Sequence, residues 1–165
     1  MKKRWMILCC TSAALLCLGE ALPRTGRFTR ADPGNHSEPV VEEREIGLIW
    51  QGCPAGRSGF DCQVGTRTRH NWVEALLYCE GLTWGGQTDW RLPNVRELSS
   101  IVDDQRSSPA IDPQVFPQTP SEWFWTSTPV FGAGSSAWRV NFDYGNVSSY
   151  DVTYEYAVRC VRGGP

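Results

Sequence analysis

From residue 22 onward, a polar stretch precedes segments whose apolar residues follow strand and helix periods. Residues 46–50 form a short apolar run that predicts a strand. Residues 22–44 are rich in Pro, Gly, Arg and acids, with almost no apolar residue before Val40. This composition predicts a disordered tether at 22–44, followed by a domain that covers residues 45–165.

A first helix is predicted to begin after Asn71, because Asn71 and Glu74 have the spacing of a capping box. Gly81 is a suitable stop. The apolar stripe consists of residues at helical spacing: Trp72, Ala75, Leu76 and Cys79. The stripe carries Cys79 into the core.

The same Asn-x-x-Glu spacing at Asn94 and Glu97 predicts a second helix, which ends near Asp103. Its buried stripe is predicted to contain Val95, Leu98, Ile101 and Val102. Later segments rich in aromatic and β-branched residues predict strands at 123–128, 137–142, 147–153 and 156–161. This order predicts an α+β fold, in which two helices pack on a small twisted antiparallel sheet.

The N-terminus has the three parts of a secretory signal: basic residues 2–4, an apolar stretch at 5–18, and small residues up to Ala21. We expect cleavage after Ala21, so that residues 1–21 are a signal peptide. The apolar stretch is shorter than the roughly 20 residues of a membrane-spanning helix. An acylated Cys17 is a rival interpretation, although Leu16 is bulky for that processing site; an uncleaved anchor is another. The expected product is secreted, periplasmic or on the cell surface.

Four cysteines follow the predicted leader: Cys53, Cys62, Cys79 and Cys160. An even number in a small exported domain indicates disulfides, with three pairings to consider. A Pro- and Gly-rich loop joins Cys53 to Cys62 and is flexible enough to close on itself. This favours Cys53–Cys62 and leaves Cys79–Cys160. A zinc site is disfavoured, because the spacing contains no Cys-x2-Cys pair.

The charge of the chain argues against a nucleic-acid partner. Its formal net charge is −2, and loss of the leader removes three basic residues and only one acidic residue. Every remaining basic residue is Arg. Guanidinium recognition of sulfate or carboxylate is one interpretation and compositional bias is the other. Clustering of the arginines in the fold would favour recognition.

Several motifs together resemble one known family. They are GLIWQ at 47–51, WVEA at 72–75, DWRLPNVRELSSIVD at 89–103, PAID at 109–112, WTST at 125–128 and VRCVR at 158–162. These motifs resemble the Lcl C-terminal domain family, named after the C-terminal domain of a collagen-like bacterial adhesin. The resemblance implies a C-type-lectin-like fold in which the N- and C-terminal strands pair. It also implies a disulfide between the first helix and the last strand, and a bacterial envelope or extracellular location.

The resemblance does not imply that this chain has every property of the adhesin after which the family is named. That adhesin domain binds sulfated glycosaminoglycans, but it is carried on a collagen-like stalk that promotes trimers. This chain has no Gly-x-y repeat, so trimerisation and adhesion are not inherited, and the oligomeric state is left open. Related formylglycine-generating oxidases need a redox-active cysteine pair, whereas these cysteines are assigned to structural disulfides.

The sequence gives little support for a catalytic site. His36 lies in the predicted tether, which leaves His70 alone for a triad, and the chain has no Gly-x-Ser-x-Gly elbow. Asp103, Asp104 and Asp112 could form a glycosidase carboxylate pair, but acids at a helix end are usually just solvated. Acids including Asp143 or Asp151 could bind calcium, by analogy with lectins only. We therefore expect no enzyme activity, no metal site and no cofactor.

The best candidate for a binding surface is the Tyr-rich pair of loops near the C-terminus. Tyr gives a large contact area at low entropic cost, and adaptable recognition loops are rich in Tyr, Ser, Asn and Gly. The predicted ligand-binding residues are Tyr144, Asn146, Tyr150, Asp151 and Tyr154, with Arg139 as an anion contact. Ordinary hairpin turns with nothing bound are the alternative interpretation.

Together these observations predict an exported bacterial module that recognises a glycan, a polysaccharide or a protein at the cell envelope. A structural envelope component that docks into an assembly through the tether is the alternative. An enzyme of undescribed type ranks below both.

Overall fold

The computed structural model describes residues 26–132 and 134–164. It is an α+β fold whose elements are β1 (Phe28–Ala31), β2 (Val40–Glu43), β3 (Leu48–Gln51), β4 (Arg57–Ser58), β5 (Val64–Gly65), α1 (Trp72–Glu80), α2 (Val95–Ser100), β6 (Trp123–Pro129), β7 (Ser136–Asn141), β8 (Val147–Asp151) and β9 (Val161–Gly163). The predicted signal peptide lies outside the described residues. Within them, no helix is long and apolar enough to cross a membrane.

Both helices begin at the predicted capping boxes. The side chain of Asn71 accepts from the Glu74 backbone N–H at 3.0 Å, and the Glu74 carboxylate accepts from the Asn71 backbone N–H at 3.1 Å. Asn94 and Glu97 repeat this arrangement. The helix α2 ends at Ser100, before the predicted end near residue 103, because the backbone leaves helical geometry at the following residue.

The first sheet has the order β1-β2-β3-β9, and all of its neighbours are antiparallel. Trp50 in β3 is the register partner of Val161 in β9. The apolar run predicted as a strand near residue 48 therefore pairs with the last strand, as the family resemblance implied.

Two strands lie inside the region predicted as a disordered tether, so that prediction is wrong for residues 28–31 and 40–43. In β2, Val41 is fully buried and Glu43 is 1% exposed. The Glu43 carboxylate accepts a 2.9 Å hydrogen bond from Trp50 Nε1 and forms an ion pair with Arg27. Ladder hydrogen bonds and buried polar contacts hold this segment, and average composition does not reveal them.

The second large sheet has the order β6-β7-β8, and a small β4-β5 hairpin stands apart. The prediction of one antiparallel sheet is thus wrong, since the described strands form three. The helix α1 packs against β6, and α2 packs against β6 and β7. Both helices therefore contact the sheet that carries Arg139, Tyr150 and Asp151.

The predicted last strand at 156–161 is wrong in its bounds, because β9 is Val161–Gly163. The residues just before β9 each pair with a different part of the chain. Tyr156 bridges to His70, and Ala157 bridges in parallel to Phe124. The Val158 carbonyl then accepts from the Ala55 N–H at 2.9 Å. This segment joins the two large sheets without belonging to either.

The disulfides are Cys53–Cys62 and Cys79–Cys160, as predicted. All four cysteines are fully buried in one core cluster, together with Trp84, Trp90 and Trp125. The sequence separations are 9 and 81 residues. In the chain-entropy model the long bridge stabilises by roughly 4 to 5 kcal/mol and the short one by about 2.5 to 3 kcal/mol. A second cluster lies around Trp50, Phe116 and Phe124.

Candidate functional site

The three strands β6, β7 and β8 place an arginine among aromatic rings. Trp125 and Ser148 are the register partners of Arg139 on the two neighbouring strands. Because side chains alternate along a strand, residues two positions away from these partners share a face with Arg139. Those residues are Trp123 on β6 and Tyr150 on β8. The sheet thus brings rings to Arg139 from both sides.

The guanidinium of Arg139 is enclosed by three rings. Its central carbon lies 4.0 Å from the ring centroid of Trp123, 4.2 Å from that of Tyr150 and 4.6 Å from that of Tyr156. Arg139 is only 8% exposed. Cation–π attraction is strongest when the cation is desolvated, as it is here. The predicted role of Arg139 as an open anion contact is therefore corrected: its faces are covered, and it orders the rings around it.

Burial sets the protonation behaviour of this cluster. Desolvation lowers the pKa of Arg139, and the neighbouring Tyr156 and Tyr150 oppose that effect. Burial raises the pKa of Tyr156, although Arg139 partly offsets the rise. Burial therefore acts against the charged form of both Arg139 and Tyr156.

Tyr150 and Tyr154 form the exposed part of the cluster. Their rings meet edge to face, with centroids 4.7 Å apart, and Tyr150 also approaches Tyr156 at 6.2 Å. Tyr150 is 39% exposed and Tyr154 is 52% exposed. Hydrogen bonding to Tyr150 is the main cause of a raised pKa at Tyr154. We call the five residues Trp123, Arg139, Tyr150, Tyr154 and Tyr156 the arginine–tyrosine surface.

Asp151 holds the turn that folds Tyr154 back over Tyr150. Its Oδ1 accepts from the Thr153 backbone N–H at 2.9 Å and from the Thr153 hydroxyl at 2.6 Å. These hydrogen bonds lower the pKa of Asp151. Such a local side-chain bond replaces a backbone turn bond. Asp151 therefore positions the surface, and both of its acceptor bonds lie within the turn.

Tyr144 and Asn146 lie away from this surface. They belong to the β7–β8 turn, at the opposite end of β8 from Tyr150. The turn requires Gly145, whose φ is +79° and where a Cβ would lie 2.6 Å from a Val102 methyl carbon. Tyr144 is 68% exposed. The predicted site residues thus form two groups, of which only the group around Arg139 is a contiguous cluster.

Two arginines flank the surface at the start of β6. Arg67 Nε lies 3.0 Å from Glu122 Oε1, and Arg69 Nε donates to Glu122 Oε2 at 3.1 Å. Glu122 immediately precedes Trp123 in the chain. The Glu122 hydrogen bond is the main cause of the raised pKa of Arg69. Arg67 and Arg69 therefore cluster around one carboxylate at the start of β6.

Sequence reasoning missed four residues of this region: Trp123, Tyr156, Arg67 and Arg69. The first two were assigned only to strands, because a linear pattern does not show which residues meet diagonally across a sheet. The Arg-x-Arg spacing at residues 67 and 69 was a usable signal, since alternate residues of an extended chain point the same way.

The acids considered for catalysis or calcium binding are partly brought together. Asp103 and Asp112 both line a small pocket next to Arg27 and Phe116. Arg106 Nε donates to Asp103 at 3.0 Å, and Asp112 accepts from the Gln114 N–H at 2.9 Å. Within residues 26–132 and 134–164, no group of three or more His, Cys, Asp or Glu side chains has the arrangement of a metal site.

Taken together, these features define a small α+β domain with two disulfides, which displays clustered aromatic and arginine side chains on one sheet. The chain belongs to the Lcl C-terminal domain family, whose model matches residues 39–162. The match begins at the end of the loop before β2, so β1 lies outside it. A search of curated proteins finds no match.

Proposed function

We propose that this protein is an exported ligand-binding module of the bacterial cell envelope, and that it recognises a glycan through the arginine–tyrosine surface. The observation that carries the proposal is the enclosure of Arg139 by Trp123, Tyr150 and Tyr156 beside the exposed ring of Tyr154. Family membership supports an adhesin-like role. Binding, without catalysis, is the proposed activity.

A glycan suits this surface because rings and charged groups lie side by side. Aromatic faces pack against the C–H faces of sugars, while neighbouring polar groups fix the orientation of the hydroxyls. Tyr150 and Tyr154 are rigid, half-exposed rings, and their edge-to-face contact fixes their relative orientation. Little side-chain entropy is then lost when a ligand packs on them.

The local charge favours an acidic glycan. Arg67 and Arg69 lie in this region with the two glutamates Glu122 and Glu155, and Arg139 adds a positive charge beneath the rings that cover it. Arg69 has a half-exposed side chain. A guanidinium can donate to sulfate or carboxylate through paired N–H groups. We therefore expect sulfated or uronic-acid sugars to bind better than neutral ones, with an affinity that falls as salt rises.

The location and finer fold class belong to the same proposal. Two buried disulfides support folding in an oxidising compartment, as the predicted signal peptide does. The pairing of β3 with β9, and the bridge from Cys79 in α1 to Cys160 just before β9, support a C-type-lectin-like arrangement.

Binding is favoured over hydrolysis by the surroundings of His70. Its Nε2 lies 3.0 Å from the Thr68 hydroxyl, and its ring stacks on Tyr78 with centroids 5.1 Å apart. A serine triad instead needs a carboxylate behind the imidazole and a nucleophilic serine in front of it. The contacts described for His70, with Thr68 and Tyr78, supply neither the carboxylate nor the serine.

The test is binding of the oxidised protein to an array of neutral, sulfated and uronic-acid glycans, at low and high salt and with EDTA or calcium. We expect salt-sensitive binding to acidic glycans, and we expect it to survive EDTA. Tyr150→Ala and Tyr154→Ala should each lower the affinity at least several-fold. Tyr144→Ala is the matched control, because Tyr144 is exposed in the β7–β8 turn, outside the surface.

The controls separate the alternatives. Equal losses in Tyr144→Ala and Tyr154→Ala would argue against this surface as the binding site. Silence across the array, with near-UV circular dichroism showing a folded domain, would overturn glycan recognition and point to a protein ligand.

A further inference from the structure

One arginine is completely buried and has no ion-pair partner among the described residues. Arg159 lies in the segment before β9 and is 1% exposed. Its guanidinium lies 4.6 Å from the Phe116 ring centroid, and its Nη2 donates to the Thr119 hydroxyl at 2.8 Å. Its Nε and Nη1 are buried and donate to no acceptor among the described residues.

A second arginine reaches the same region from the N-terminal strand. Arg30 in β1 donates through Nη1 to the carbonyls of Gly52 and Val115, both at 3.0 Å. Its Nη2 binds the Phe60 carbonyl. Its buried Nε has no acceptor among the described residues. Arg30 and Arg159 thus both contact the segment 115–119, one at each end.

Neither guanidinium forms an ion pair with a carboxylate of the described chain. Burial and then repulsion by Arg30 lower the pKa of Arg159 to about 9. Burial lowers the pKa of Arg30 to about 10, with Asp61 opposing the change. Both groups therefore remain cations at neutral pH. Buried charges are normally paired, because an unpaired one loses its hydration without compensation.

We propose that a small inorganic anion of the size of chloride binds between Arg30 and Arg159. It accepts the unpaired N–H groups of the two side chains, namely Nε and Nη1 of Arg159 and Nε of Arg30. A monatomic anion suits the place because it accepts hydrogen bonds from several directions. The burial of Arg159 leaves no open route for a larger organic acid.

The anion has a structural consequence. Arg30 belongs to β1, which lies before the family match, whereas Arg159 lies within it. A bound anion therefore links the N-terminal strand to the core and stabilises the folded state in proportion to its occupancy. This role is independent of the arginine–tyrosine surface.

The first test is thermal unfolding of the full oxidised chain while chloride replaces gluconate at constant ionic strength. We expect the Tm to rise by several degrees between trace and roughly 0.2 M chloride, because only the folded state holds the ion. Bromide should act similarly. Arg30→Met should abolish the dependence, and Arg96→Met, which removes an exposed arginine, should keep it.

The second test locates the ion without any variant, since Arg159 substitutions can fail to fold. Crystals grown in bromide should show an anomalous peak within hydrogen-bond distance of Arg30 and Arg159. A Tm that is equal in chloride and gluconate would overturn the proposal. So would a chloride dependence that persists in Arg30→Met, or an ordered water in place of the bromide peak.

Discussion

The guanidinium of Arg139 lies 4.0 Å from the centre of the Trp123 ring, and the two residues meet diagonally across the β6–β7 pair. Tyr150 closes the other side at 4.2 Å. A buried cation between two rings has no freedom to change its rotamer without exposing an apolar face. Arg139 therefore fixes the geometry of the rings that we propose to contact a ligand.

Removal of Arg139 should destabilise the fold as well as the surface. We expect Arg139→Met to lower the free energy of unfolding by about 1–2 kcal/mol, because the cation–π contacts are desolvated. Arg139→Lys should recover only part of this stability, since an ammonium lacks the planar stacking face of a guanidinium. Urea unfolding measures the free energy of unfolding of both variants. Arg96→Met is the control at an exposed arginine, and its free energy of unfolding should stay within about 0.5 kcal/mol of wild type. Equal losses in Arg139→Met and Arg96→Met would contradict the enclosure of Arg139.

Asp151 should affect binding through the position of Tyr154. Asp151→Ala removes the acceptor that holds Thr153, so the turn should loosen and the Tyr150–Tyr154 contact should weaken. We expect a several-fold loss of affinity for the glycan found on the array, together with a weaker near-UV tyrosine signal. Asp151→Asn keeps an oxygen acceptor and should restore both. A loss in Asp151→Asn as large as that in Asp151→Ala would instead indicate that the charge contacts the ligand.

Alkaline pH should weaken the fold through its buried phenols. Burial raises the pKa of Tyr156 and of Tyr78 above the ordinary value of 10.0. Above that ordinary value the unfolded chain loses these protons first, so the contribution of the two phenols to the unfolding free energy falls as pH rises towards the folded pKa values. The lowered pKa values of Arg30 and Arg159 act in the opposite direction, so the phenol effect is measured as a difference between wild type and Tyr156→Phe. In urea unfolding at pH about 9 and about 11, the unfolding free energy of wild type should fall relative to that of Tyr156→Phe, and an identical change in both proteins would contradict this origin.

The strand β2 should be essential to the domain, whereas β1 only adds to it. A chain that starts at residue 39 keeps Val41 in the core and the Glu43–Trp50 hydrogen bond, but it loses Arg27, the ion-pair partner of Glu43. We expect it still to unfold cooperatively, at a clearly lower temperature than the full chain. A chain that starts at residue 45 exposes the Val41 site and leaves the buried Trp50 Nε1 without its acceptor. We expect it not to fold, as judged by near-UV circular dichroism. Equal stability of the two truncated chains would show that β2 is dispensable.

The helices and disulfides could be predicted because local signals determine them. The Asn71 and Asn94 caps depend on a residue three positions away, and the loop between Cys53 and Cys62 closes on itself. The strands β1 and β2 could not be predicted, because their stability comes from distant partners. Glu43, for example, is buried only because Arg27 and Trp50 bind it.

The proposed binding surface was only half predictable. A Tyr-rich loop drew attention to Tyr150 and Tyr154, and both lie on the arginine–tyrosine surface. Trp123 and Tyr156 come from segments that look like ordinary strands, and only the sheet register places them around Arg139. Tyr144 has the same local composition as Tyr150 but lies at the opposite end of β8. Composition identified the residue types, and cross-strand geometry decided which of them meet.

The most direct measurement is a titration of ¹⁵N-labelled protein with the best acidic glycan from the array, followed by NMR chemical shifts. We predict that the largest changes occur at the indole N–H of Trp123 and the backbone N–H groups of Tyr150 and Tyr154, with little change at Tyr144 and Asn146. Changes centred on the β7–β8 turn, or on the pocket beside Asp103 and Asp112, would contradict it.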